Sequence, residues 1–553
     1  MIATAPSLRG ASSWRRFPAA LAAAWRLGPV KLGFFGALAI EIGSYTPAYL
    51  PRSSPLWGPL QAVHLDGPVV KAVGTAVVLL GIGLLVDGWF RLRSAGLETV
   101  QPWAVLVFWS LPFLFGPPIF SHDAYSYAAQ GWMVHNGLNP YDGGPGLLPG
   151  AFADQVAWVW RYTPAPYGPL ALQLSHALVD LSGFDATVAP ILMRLPALAG
   201  VGFIVALVPR LARHCGVERN QAVWFASLNP LLVIDYVGGA HNDSLMMGLV
   251  VAALWTASKR RSWARAQVRA QLRRRSRPSG RRRLAGRFGG RAGGLAELAG
   301  PRPRPGSLAL RAGAQAAGFL NLLLAAALVG TAAAIKQPAF LAAVVLPFMA
   351  APPRWGGLRA GAKVFAGALL SLALAAAVFA ALTAATGLGY GWLGALGVPG
   401  SVTTVSPSSL AGELIQQLLD PGNRNYITAA QSVGTAVAFA LALLAFAVIG
   451  RRQPLRALSL SYLAIAFLGP ALHSWYVLWG GLLLPLTQGR RDLRRVAVPV
   501  TVLLLSYAAI NLAWRNGALA LGLAAAAVLV WTAVQHELSH RRAARLASPP
   551  PAA

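Results

Sequence analysis

Residues 103–141 read WAVLVFWSLPFLFGPPIFSHDAYSYAAQGWMVHNGLNPY. The first part, 103–120, is apolar and close to the length that crosses a bilayer, about 20 residues. The second part, 121–141, turns polar at once and gathers Asp123, His122, His135, three tyrosines and Gln130. An acid at the lip of a membrane span, beside aromatic and amide side chains, is placed to meet a polar group carried on a lipid. This stretch predicts an all-α polytopic membrane protein with its chemistry at one face of the bilayer.

The composition agrees. Of 553 residues, 56% are hydrophobic and 12% charged, and the mean hydropathy is +0.54; a soluble domain carries about 25% charge. Cys215 is the single cysteine, which excludes an intramolecular disulfide and a cysteine-based zinc cage. The N-terminus is basic (Arg9, Arg15, Arg16, Arg26, Lys31), but the apolar run after it is too long for the core of a signal peptide and lacks a clear cleavage site. The net charge of +30 suggests nucleic-acid binding until it is located. Residues 259–311 alone hold 17 Lys and Arg against one acid, Glu297. No aromatic platform or folded motif accompanies that charge. It reads as a cytosolic loop beside anionic headgroups, with membrane lipids as partners and no nucleic acid.

Apolar runs fall near 30–50, 69–88, 103–120, 187–209, 220–236, 242–258, 314–334, 337–351, 361–382, 431–449, 455–472, 475–488, 495–511 and 517–535. These predict about 12–14 spans. With the N-terminus inside, the inner loops carry Arg91 and Arg93; Arg210, Arg213 and Arg219; the 259–311 loop; Arg354, Arg359 and Lys363; Arg451, Arg452 and Arg456; and Arg490 to Arg495. The outer loops are poor in Lys and Arg, so the alternation obeys the positive-inside rule. The expected organisation is a cytoplasmic segment 1–29, a transmembrane domain 30–535 and a cytoplasmic tail 536–553. Within the domain lie outer loops 121–186 and 383–430 and the Arg-rich inner loop 259–311. The stretch 164–182 is too short and too broken by Pro and Gly to span, and predicts a helix lying at the outer interface. No fixed-period repeat is visible.

Under this topology the polar clusters converge on the outer face: 121–141, RYTPAPYGP (161–169), GGAHNDS (238–244), IKQP (335–338) and ALHSWYVLW (471–479). Asp123 is the candidate general base, or else a helix cap or an outer ion-pair partner at the exit of a span. Tyr125, Tyr127 and Gln130 fall on neighbouring helical turns and offer the hydrogen bonds and flat faces a sugar needs. In His241-Asn242-Asp243, the amide or acid either caps the following helix or binds sugar hydroxyls. No spaced ligand set accompanies them, so a divalent metal on His241 and Asp243 stays an open but unsupported alternative, and no other cofactor is expected. Lys336 is one of five lysines and lies between two apolar runs. It either snorkels to headgroups or holds a leaving phosphate. Arg161 and Arg194 are alternatives for that task. His473, Trp475 and Tyr476 form an interfacial aromatic belt or a sugar platform. Glu41 lies inside the first span without an assigned role. There is no P-loop, dinucleotide fingerprint, HExxH or nucleophile elbow, so a glycosyl transferase here would have to use a lipid-linked sugar.

The ordered set DAYSYAAQG, GLNPY, TPAPYGPL, AHNDSLMMG, IKQP and HSWYVLW resembles the actinobacterial polyprenol-phosphate-mannose-dependent α-1,6-mannosyltransferases. These are the MptA/MptB group, nearer MptB, of the GT-C superfamily of membrane glycosyltransferases. The resemblance implies the GT-C multi-helix fold, with interfacial helices in a long first outer loop that carries the essential acid, here Asp123. From the polar clusters themselves, substrate contacts are expected from His122, Tyr125, Tyr127, Gln130, Asn139, Tyr141, Arg161, Tyr167, His241, Asn242, Asp243, Gln337, His473, Trp475 and Tyr476, and donor-phosphate contacts from Lys336 and Arg194. The implied donor is a polyprenyl-phosphate-mannose. The implied acceptor is a lipid-anchored mannan, the core of lipomannan and lipoarabinomannan. The implied location is the plasma membrane, with the site on the extracytoplasmic side. The position before the acid is often Arg in such sequences and is His122 here, and the 259–311 loop looks like an insertion. Two other readings stay open: transfer of another polyprenyl-linked sugar such as arabinofuranose, and a secondary transporter or lipid flippase.

Overall fold

The computed structural model describes residues 13–51, 53–94, 97–98, 100–275, 305–350, 358–395, 398, 406–487 and 491–515, with scattered positions between 528 and 540. Regular structure among the described residues is helical, without strands. Most of the expected 517–535 span and most of the Arg-rich loop lie outside the described residues; the backbone flanking that loop is helical in Asp243–Arg275 and Pro305–Ala333.

Four helices are long and apolar enough to cross a membrane: Pro68–Arg93, Val188–Cys215, Gly361–Thr386 and Asn425–Gly450. A fifth counts if Phe17–Trp25 and Gly28–Ser44, bent by 88°, form one span. The N-terminal helix Ser13–Trp25 was expected only as a cytoplasmic segment. Phe17 stacks on Trp103 and Trp25 packs on Phe108, so it is tied to the bundle. Several expected spans are instead shorter apolar pieces of 10–17 residues, among them Pro102–Leu114, Gln337–Met349, Pro454–Leu468 and Ser474–Leu486. The cause is local. Proline inside or after these runs removes a backbone donor and clashes with the preceding turn. The expected 220–236 span breaks into π-turns at Val223–Ser227 and Leu232–Gly238, on either side of Asn229-Pro230.

Close helix packing uses small residues, as membrane bundles do. Gly36 and Gly81 face each other where Gly28–Ser44 crosses Pro68–Ser94, and a Cβ on either would strike the other helix's backbone. Gly200 and Gly248 do the same between Arg194–Cys215 and Asp243–Arg275, where Ser244 also donates to the Ala197 carbonyl at 2.6 Å. The stretch expected as an interfacial helix is helical over Pro169–Leu181 and packs on Asp123–His135, with Gly131 at the contact. By contrast, Leu358–Thr386 and Asn425–Ala445 carry many exposed apolar side chains, Phe365, Leu369, Val433 and Phe439 among them. That suits lipid rather than protein.

Helices break at several points, and four of the breaks meet. They are 119–123, before Asp123–His135; 239–243, before Asp243–Arg275; 334–337, between Pro305–Ala333 and Gln337–Phe340; and 469–474, between Pro454–Leu468 and Ser474–Gly481. Non-helical backbone at such depth is tolerated where protein covers it or a polar cavity is lined. Two of the breaks place a non-glycine residue in the left-handed region, Phe120 at φ 75° and Ala240 at φ 54°. Each costs about 1–2 kcal/mol.

Candidate active site

Asp123 opens its helix, with its backbone N–H on Ser121 Oγ at 3.0 Å. Its Oδ2 accepts from the Tyr127 hydroxyl at 3.4 Å, one turn on, and lies 3.4 Å from His241 Nδ1. The Asp123 side chain keeps 16% exposure, while His241 is fully buried. Burial alone would raise the Asp123 carboxyl. The close approach of His241 and the charge of the Lys336 ammonium outweigh it and hold the group below the usual carboxylate range.

Deeper in, Lys336 Nζ donates to both oxygens of Asp243, at 3.0 and 2.9 Å, and both residues are buried. Trp479 Nε1 donates to Asp243 Oδ1 at 2.7 Å. The ammonium sits over three rings: Tyr476 at 4.5 Å, Trp479 at 5.6 Å and Tyr167 at 5.7 Å. Burial acts against the charged lysine, but Asp243 and the surrounding acidic groups more than offset it and its pKa is raised. Two of its three N–H groups serve Asp243; the third is not spent on that pair.

An aromatic wall joins the two pairs. Trp475 stacks between His241, at 3.9 Å, and His473, at 4.4 Å. Tyr476 meets His473 edge-on and stacks on Trp479. Tyr127 meets Tyr167 edge-on at 5.0 Å. Burial lowers His473 to about 4, so it is neutral near pH 7 and adds no charge beside Asp123. The loop bearing Tyr167 is pinned where it must be. Gly168 N–H donates to the Ile335 carbonyl and Leu170 N–H to the Ala334 carbonyl, both at 3.0 Å.

Of the residues singled out in the sequence, the fold brings together Asp123, Tyr127, Tyr167, His241, Asp243, Lys336, His473, Trp475 and Tyr476. Asn242 Oδ1, Gln337 Nε2 and Gln130 Oε1 are buried and have no hydrogen-bond partner. Others are engaged elsewhere. Arg194 is spent on the carbonyls of Gly116, Val237 and Gly238, which tie the two left-handed breaks together, so it is not an open phosphate ligand. Arg161 pairs with Asp154. Tyr125 donates to the Pro118 carbonyl at 3.1 Å, and Asn139 bridges Leu388 O and Tyr141 N. Tyr141 donates to Tyr167 O at 2.9 Å. His122 is exposed, with Nδ1 3.3 Å from the Gln155 carbonyl oxygen.

Sequence reasoning missed Asp235 and Trp479. Asp235 is buried beneath His241, takes a hydrogen bond from Ser474 and has a second oxygen without a partner. An acid inside the apolar run LLVIDYV was itself a signal.

Residues 30–352 match the family model of the alpha-(1->6)-mannopyranosyltransferase N-terminal domain, and 406–535 match that of the MptB C-terminal domain. The chain is 32% identical over 442 residues to an alpha-(1->6)-mannopyranosyltransferase of Mycobacterium tuberculosis, covering 78% of this chain and 72% of that one. It is 28% identical to alpha-(1->6)-mannopyranosyltransferase A of the same organism, over 85% of this chain and 82% of the relative. Against alpha-(1->6)-mannopyranosyltransferase B of Corynebacterium glutamicum it is 29% identical over 40% of each chain. No solved structure matches.

Proposed function

The chain belongs to the alpha-(1->6)-mannopyranosyltransferase family, and from that premise we propose that it moves mannose from polyprenyl-phosphate-mannose to a lipid-anchored α-1,6-mannan, with inversion at C1, on the extracytoplasmic side of the plasma membrane. As a glycosyltransferase it needs a sugar donor and an acceptor. A donor carried on lipid suits a chain without a recognisable nucleotide-binding motif, whose polar cluster is built at helix breaks.

In the proposed step Asp123 takes the proton of the acceptor 6-hydroxyl as that oxygen bonds to C1 of mannose. The bond from C1 to the phosphate oxygen breaks on the opposite face, and polyprenyl phosphate leaves with the electron pair. One base suffices because phosphate leaves without protonation; the paired carboxylates of glycosidases are not needed. Asp123 is held ionised and can accept a proton at once. The remaining N–H of Lys336 can meet the phosphate as its charge grows, while Asp243 holds the ammonium in place. The rings of His473, Trp475 and Tyr476 give the sugar a flat surface.

The observation that carries this reading is that Asp123 alone among the cluster's acids reaches solvent: Asp243 is closed and Asp235 nearly so. The test is Asp123→Asn in purified protein given polyprenyl-phosphate-mannose and a short α-1,6-mannoside. Turnover should fall by about 10²–10⁴-fold with the melting midpoint little changed. Turnover at the wild-type rate would remove Asp123 as the base.

A further inference from the structure

His135, His176 and Asp180 bring three metal-ligating atoms within 4.8 Å of one another, well apart from the acid end of the helix Asp123–His135. The geometry points to a binding site here for a divalent transition cation of the zinc class, which would staple the helix Asp123–His135 to the helix Pro169–Leu181.

The donor set is right for such an ion. Two imidazoles and a carboxylate select zinc and its neighbours over magnesium or calcium, which take mainly oxygen ligands. His135 Nδ1 lies 2.9 Å from Asp180 Oδ1, and His176 Nε2 lies 3.4 Å from Asp180 Oδ2. Ligand atoms about 3.4 Å apart are what a tetrahedral ion with bonds of about 2.1 Å requires, so small side-chain rotations close the site. His176 and Asp180 are four residues apart on one helix and share a face; His135 comes from the last turn of the other.

Four further contacts orient the ligands. His176 Nδ1 lies 3.3 Å from Gln173 Oε1, and Gln173 Nε2 donates to the Thr386 carbonyl at 3.2 Å. The second bond fixes which end of the amide faces the ring. A metal-binding histidine usually donates its other N–H to an oxygen in this way. The His135 ring is held between Trp132, stacked at 5.1 Å, and Phe184, at 4.5 Å. The three ligands are partly exposed, which leaves an entry path and room for water as the fourth ligand.

The ion would be structural, holding in register the two elements that present Asp123 and Tyr167. This inference stands whether or not the proposed donor and acceptor are right. The test uses tag-free, chelator-stripped full-length protein in detergent, titrated with Zn²⁺ and, for its absorption spectrum, with Co²⁺. The expected result is one equivalent of zinc per chain, a melting midpoint that rises with zinc concentration, and d–d bands of a tetrahedral cobalt site. All three signals should vanish in His176→Ala and in Asp180→Ala. Gln173→Leu should keep the stoichiometry but weaken affinity about 10–100-fold. No stoichiometric zinc in the wild-type protein, or equal binding in His176→Ala, overturns the proposal.

Discussion

At the scale of single residues, the site is organised by an ion pair that sequence could not display. Asp243 and Lys336 lie 93 positions apart and meet with two hydrogen bonds, both side chains almost closed to water. Taking one charge from a buried pair strands the other, at a cost of about 3–5 kcal/mol. Asp243→Asn should therefore lower the melting midpoint sharply, and Asp243→Asn combined with Lys336→Met should recover much of that loss without recovering transfer. Thermal melts of the two variants beside the parent decide it; a single variant as stable as wild type would show that the pair holds nothing together. The individual residues Asp123, His241, Lys336 and His473–Tyr476 were legible because polar groups at the ends of apolar runs demand an explanation. Their pairings were not. Nor could the sequence tell the free from the engaged: Arg194 looked like a phosphate ligand, yet three backbone carbonyls left open by broken helices take its guanidinium.

At the scale of elements, apolar runs foretold where helices form but not where they stop. A run such as 220–236 has the composition of a span, and only its packing shows that it unwinds around Asn229-Pro230. These breaks carry the cluster's side chains, and the loop 165–170 is hydrogen-bonded to one of them, at Ala334 and Ile335. A Cβ at Gly168 would collide with the Ala334 carbonyl. Gly168→Ala should push the loop outward and carry Tyr167 away from the Lys336 ammonium. Such overpacking costs about 1–3 kcal/mol, and turnover should fall at least about tenfold. Gly202→Ala is the control: it sits on an exposed helix position with nothing near its Cβ, where alanine is favoured by about 1 kcal/mol. An assay of both variants in which Gly168→Ala is as active as Gly202→Ala would show that this backbone contact does not position the site.

At the scale of the whole molecule, orientation across the membrane links the charge pattern to the chemistry. The helix Arg194–Cys215 begins at the site, with Arg194 on the carbonyls of Gly116 and Gly238, and ends beside Arg219. Its 22 residues span about 33 Å at 1.5 Å per residue, close to the roughly 30 Å of a hydrocarbon core. At the far end, Arg93 lies over the Trp224 ring at 4.9 Å, and Asn220 donates to Glu98 at 3.2 Å. Sequence-distant basic loops therefore gather at one end of the bundle and the Asp123 cluster lies at the other. The proposed orientation, with the basic end inside as the positive-inside rule expects, puts Asp123 in extracytoplasmic water. With Cys215 replaced by serine, a single cysteine placed at the exposed Asp142 should react with a membrane-impermeant maleimide in intact cells. One placed at the exposed Arg452 should react only after permeabilisation. The opposite pattern would put the carboxylate on the cytosolic flank. The donor would then have to be presented from the cytosolic leaflet, and the proposed extracytoplasmic transfer to a lipid-anchored mannan could not take place.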